Sequence, residues 1–156
     1  MIDVPDNRRL GMLANALLAD AAFVFAEPSA AFAPKAKPLF AARVTLSCGE
    51  SLELLVVVEA ELAKSLAANL LGIEEDSDEA QASSGEALGE WANILAGSLA
   101  AECKGGQSPP TIGIPVVSSE TLAKAAVLLG KATRRANLVT ETGQQLVVAV
   151  RPLETA

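Results

Sequence analysis

Apolar and polar positions alternate along this chain in two periods, one helical and one extended. From about Pro5 to Ala26, Leu10, Leu13, Leu17 and Phe23/Val24 recur at helical spacing, and Pro28 ends the run. Pro28 to Pro38 reads as a crossover loop. Phe40 to Ser47 predicts a strand with Phe40, Val44 and Leu46 on one face. Cys48-Gly49-Glu50 is a turn into a more continuously apolar strand, Leu52 to Val58, and the two make a hairpin. Glu59 to Leu71 is helical, with Leu62, Leu66 and Leu70/Leu71 inward and Gly72 as the stop. A longer helix is predicted from about Glu79 to Cys103, and Gly105 to Pro110 breaks it. Thr111 to Val117 predicts a strand, and Ser118-Ser119 with Thr121 and Leu122 a helix start running to about Leu129. Ala136 to Thr140 and Gln145 to Val150 form a second hairpin through Glu141-Thr142-Gly143. In its last strand Val147 and Ala149 share one face, Leu146, Val148 and Val150 the other, and neither face is polar. Such a sheet is covered on both sides or pairs with another subunit. The expected class is α+β: an antiparallel sheet built from hairpins with long helices packed on it, in one domain over residues 1–156.

The helix of Glu79 to Cys103 carries the one pattern that suggests chemistry. At about 100° per residue, Glu86, Glu90, Asn93 and Gly97 fall within one narrow arc. Leu88, Trp91, Ala92, Leu95 and Leu99 fall on roughly the opposite arc. One face can bury the only Trp; the other presents two carboxylates and an amide beside a residue without a side chain. A Gly inside a helix costs about 1 kcal/mol relative to Ala, and a close approach by a partner explains that cost at Gly97. A solvated face with incidental glycines explains the same residues without function.

Composition narrows the chemistry. With 156 residues, 51% of them hydrophobic, the chain can bury a sizeable core, and aromatics at 3% leave the packing to small aliphatics. A net charge of -7 argues against nucleic acid and favours basic patches on partners. There is no His and no Tyr, which removes the usual general base and metal ligand. Cys48 and Cys103 are far apart in sequence and read as free thiols. The acidic run Glu74 to Asp78 reads as solvated, without the Gly and terminal Glu of a calcium loop. No stretch is apolar enough to cross a membrane, and Asp3, Asp6, Arg8 and Arg9 precede the first apolar run, unlike a signal peptide. A cytoplasmic protein is expected.

The chain resembles the CheC/CheX/FliY family of chemotaxis phosphatases. That family's signature is Asp or Ser, three residues, Glu, two residues, Asn, with a Pro some twenty residues on. Here the Glu is Glu90 and the Asn is Asn93; Ile94-Leu95-Ala96-Gly97 and Ser108-Pro109-Pro110 leading into a strand also match. Glu86 stands where the family has Asp or Ser, and the gap from Asn93 to Pro110 is several residues shorter than the family's. An echo lies in the first helix: Leu10-Gly11-Met12-Leu13-Ala14-Asn15 against Leu88-Gly89-Glu90-Trp91-Ala92-Asn93. It is either a degenerate repeat, inactive because Met12 replaces the Glu, or chance likeness between two Ala/Leu-rich helices. With one intact motif, the single-site CheX type is the closer match.

The resemblance implies a phosphatase acting on the phospho-Asp of a CheY-type receiver domain, which itself supplies the Mg²⁺. Asn93 then positions the attacking water, Glu90 pairs with a receiver Lys, and Glu86 and Gly97 border the partner. The protein needs no cofactor of its own, and a homodimer is expected, since CheX-like proteins dimerise through their sheets. A non-catalytic receiver-binding module and a flagellar-switch-like structural module of the same fold are the alternatives.

Overall fold

The computed structural model describes residues 3–35, 38–104 and 109–153. Helix α1 (Asn7–Ala22) leads to a short edge strand β1 (Ala26–Pro28). Strands β2 (Leu39–Ser47) and β3 (Ser51–Glu59) form the first hairpin. Helices α2 (Ala60–Leu71), α3 (Asp78–Ala82) and α4 (Ser84–Glu102) follow. Strands β4 (Thr111–Ile112) and β5 (Val116–Glu120), helix α5 (Leu122–Leu129), and the hairpin β6 (Arg134–Thr140) and β7 (Gln145–Pro152) complete it. All the strand pairs are antiparallel, in the order β1-β6-β7-β3-β2, with β4 and β5 sharing the outer edge of β2. The expected α+β class is the observed one.

The alternation of side chains in the strands fixes what each sheet face buries. Ala42, Val44, Leu54, Val56, Val58, Leu146, Val148 and Val150 point to α1, α2 and α4, forming the main core with Leu10, Leu62, Trp91 and Leu95. Leu39, Ala41, Leu55, Val57, Val147 and Ala149 point the other way, under Ala125 and Leu129 of α5 and beside Phe32. The sheet is therefore covered on both sides within one chain, and the apolar two-faced β7 needs no second subunit to explain it. Where α5 does not reach, the second face turns polar: Glu53 is 7% exposed, and its Oε1 accepts from Arg151 Nη2 at 2.6 Å.

Several boundaries differ from the sequence expectation, each for a local reason. Helix α1 stops at Ala22, not Ala26, because Phe23 turns left-handed (φ 55°) and its N–H and that of Val24 close back on Ala19 and Leu18. The released chain pairs β1 with β6, so the junction of the expected helix and loop, Ala26–Pro28, is strand. The long helix expected from Glu79 is two helices. Ser77 caps α3 by accepting from Ala80 N–H at 3.1 Å, and Ser83, at φ −93° and ψ 0°, bends the chain before α4. The strand expected over Thr111 to Val117 is two, β4 and β5, and Ser118-Ser119 belong to β5. Helix α5 begins after Thr121, whose hydroxyl accepts from Lys124 N–H at 3.2 Å. The break at Gly105 to Ser108 lies outside the described residues. Among the described residues, no helix is long and apolar enough to cross a membrane.

Candidate functional site

Helix α4 is held from below by its apolar arc. Leu88, Trp91, Ala92, Leu95 and Leu99 are all 0% exposed, packed against α1, α2 and the sheet. Its C-terminal end is tied to the start of α1, where Arg9 grips Glu102 through Nε and Nη2 at 2.7 and 2.8 Å. That hydrogen-bonded pairing holds the Glu102 carboxyl below its ordinary range and the Arg9 guanidinium above its own. Beyond it, Asp3 and Lys104 exchange backbone hydrogen bonds at 2.7 and 3.0 Å.

On the outward arc, Glu86, Glu90 and Asn93 are exposed, as the periodicity predicts. None of the three side chains has a hydrogen bond or ion pair among the described residues. Like charges four residues apart destabilise a helix by about 0.2–0.5 kcal/mol, so Glu86 and Glu90 are not placed there for helix stability. They leave two carboxylates free for a cation from outside. Asn93 stands one turn from Glu90 on the same face, so one approaching surface meets both.

Gly89 has a nearer explanation than a partner, and Gly97 does not. A Cβ at Gly89 would lie 3.1 Å from Val117 Cγ2 and 3.7 Å from Pro115, so the missing side chain lets β5 approach the helix. At Gly97, half-buried, a Cβ would meet Ile112 Cδ1 at 3.6 Å, an ordinary contact. The segment from Ile112 to Val117 thus runs beside the polar stripe and leaves Ile114 88% exposed. The periodicity gave no sign of this border, because it runs from the end of a two-residue strand through a loop into the start of β5. Beneath the stripe, Trp91 Nε1 is buried without an acceptor among the described residues.

The echo in α1 has a spatial counterpart. A Cβ at Gly11 would lie 3.3 Å from Ala136 Cβ on β6, as one at Gly89 would lie against Val117 on β5. Ala136 and Val117 end the same transverse row of the sheet, through Val148, Val56 and Ala42. The two helices therefore cross the sheet at matching positions, each with its glycine facing the strand below.

The cysteines, far apart in sequence, are neighbours here. Both are free, and the Cys103 thiol is pushed up to about 12 by burial and then by hydrogen bonding with Cys48.

The site is thus an exposed Glu-x-x-Asn on a helix packed over an antiparallel sheet. The family model described as chemotaxis phosphatase CheX matches residues 40–135, and the chain belongs to that family. No curated protein matches it. Among solved structures it is similar to CheX in the CheX–CheY–BeF3–Mg²⁺ complex of Borrelia burgdorferi. The two are 20% identical, with 94% of this chain and 98% of that chain covered at a TM-score of 0.65. It is also similar to CheX of Desulfovibrio desulfuricans, 16% identical over 94% of this chain and 97% of that one, TM-score 0.57. The likeness to FliY of Thermotoga maritima is 12% identity over 94% and 89%, TM-score 0.57. At these identities the likenesses establish the fold.

Proposed function

We propose that this protein dephosphorylates the aspartyl-phosphate of a CheY-type receiver domain in chemotaxis or two-component signalling. The observation that carries the reading is the unpartnered, exposed Glu90–Asn93 pair over the buried Trp91 and Leu95, in a chain of the CheX family. Phosphoryl transfer needs positioning and charge neutralisation more than covalent chemistry, and an amide can orient a water for in-line attack. In this reading the Asn93 carboxamide holds that water, and Glu90 pairs with a receiver Lys. Glu86 adds to the field drawing a basic surface, and Gly97 keeps the helix low where the partner sits. The receiver brings the phosphorylated Asp and the Mg²⁺; this chain brings side chains to a site that already hydrolyses slowly.

A receiver domain phosphorylated with radioactive phosphate and mixed with the protein tests this. Wild type is expected to accelerate loss of label, and Asn93→Ala to remove most of the acceleration while binding survives. Glu90→Ala weakens binding instead, since truncating one partner of an interfacial ion pair commonly costs ~1–5 kcal/mol, depending on how well it is desolvated. Binding without any acceleration would return the protein to the non-catalytic alternative. A homodimer remains part of the proposal: light scattering at micromolar concentration is expected to read twice the 16.0 kDa chain mass, and a 16.0 kDa species counts against it.

A further inference from the structure

A cavity of ≈ 610 Å³ lies between the first turns of α1 and the stretch of β6 from Arg135 to Leu138, where β1 ends at Pro28. Its volume is in the range of small-molecule sites. Arg8 and Arg135 line it with Asn7, Asn15, Asn137 and Met12, and no carboxylate does. In a chain with 19 acidic residues against 12 basic ones, an acid-free wall with two guanidiniums runs against the average surface.

The hydrogen bonds decide what those groups still offer. Asn7 Oδ1 accepts from the Arg135 backbone N–H at 2.9 Å, and Asn137 Oδ1 accepts from Arg135 Nε at 3.0 Å. Both carboxamide oxygens are thus engaged within the protein, and the amide nitrogens of Asn7 and Asn137 remain as donors. Arg8 has no hydrogen bond or ion pair among the described residues, and Arg135 has no carboxylate partner there. What the wall presents is a set of donors without protein partners among the described residues, beside an apolar surface, since Met12 is 51% exposed. Oxyanions are acceptor-only and bind guanidiniums through charge-assisted hydrogen bonds, often two at once.

We propose that this groove binds a small organic oxyanion, a phosphate or carboxylate carried on an apolar body that rests on Met12. Nothing in the inference depends on phosphatase activity. The matching of α1 to α4 sharpens it: with Gly11 set against Gly89, Arg8 falls opposite Glu86, Met12 opposite Glu90, and Asn15 opposite Asn93. Where α4 offers a carboxylate to a cation at Glu86, α1 offers a guanidinium to an anion at Arg8.

The test is an amide chemical-shift titration of the ¹⁵N-labelled full chain with pyrophosphate, adenosine diphosphate and benzoate, each at constant ionic strength. Saturable shifts are expected at the amides of Asn7, Arg8 and Asn137, with the diphosphate nucleotide tighter than pyrophosphate because its body meets Met12. Benzoate against pyrophosphate separates carboxylate from phosphate preference. Arg8→Gln with Arg135→Gln is expected to weaken binding about tenfold or more, the loss of roughly one charge-assisted hydrogen bond. If that double variant fails to fold, Arg8→Gln alone, which removes no bond of the fold, must still weaken it by about threefold. No saturable shift with any probe overturns the proposal. So do shifts centred elsewhere, or variants that bind as wild type does.

Discussion

Helices α1 and α4 cross the same sheet at matching rows, each with a glycine against the strand below, yet their outward faces differ in every residue that matters except one Asn. The inward sides do the same work: Leu10, Ala14 and Leu18 are buried as Leu88, Ala92 and Ala96 are. Packing therefore constrains one side of each helix and leaves the other free. Where α4 shows Glu86, Glu90 and Asn93, α1 shows Arg8, Met12 and Asn15. The lesson is that the scaffold positions a stripe without dictating its chemistry.

The largest effect that bears on this comparison is structural. Trp91→Ala removes a fully buried aromatic and is expected to cost roughly 3–5 kcal/mol. Its counterpart Leu13 is only partly buried, so Leu13→Ala should cost less. Urea midpoints measure both, and equal losses would mean the two helices are equally deep in the core. Next comes catalysis. Asn93→Ala is expected to reduce receiver dephosphorylation on the order of 100-fold, the scale on which positioning acts, while Asn15→Ala leaves it unchanged. If folded Asn15→Ala loses activity, the single-site reading fails.

The glycines give a smaller, signed effect. Gly97→Ala, meeting Ile112 at an ordinary 3.6 Å, should gain up to about 1 kcal/mol of helix propensity. Gly89→Ala, at 3.1 Å from Val117, should lose that gain to the displacement of β5. A Gly97→Ala protein that is more stable yet needs more receiver for half-maximal rate would show that a partner approaches there.

The smallest effect concerns the clasp between the helices. Because Arg9 lowers the Glu102 carboxyl, the pair stabilises the fold above the usual carboxylate range. That stability is lost as pH falls through the folded-state value. The pair is exposed, so its contribution is small and screened by salt. The urea midpoint of Arg9→Ala should therefore lie slightly below wild type at neutral pH and converge with it in acid. A gap that widens in acid would reverse the assignment.

Much of this was legible in the spacing of residues. The buried arc and exposed arc of α4 are where a 3.6-residue period puts them, because a sheet below and water above impose that period. The faces of β7 were legible too, but not what covers them: Phe32 and α5 reach the second face through tertiary contacts that no local pattern encodes. Local chemistry of single residues moved the boundaries, namely the left-handed Phe23, the bend at Ser83 and the Thr121 cap. The proximity of Cys48 and Cys103 and the donor-lined groove both join residues distant in the chain, and only folding brings them together.

Trp91 gives the molecule an optical handle of its own. With one Trp and no Tyr, the indole supplies essentially all of the near-ultraviolet emission. It is anchored in the main chain between Glu90 and Asn93 on the dry side of the helix. Its light should be blue-shifted in the free protein and stay so when a partner docks rigidly on the stripe. A shift to the red on docking would report that the helix has lifted from the sheet, without any label being attached.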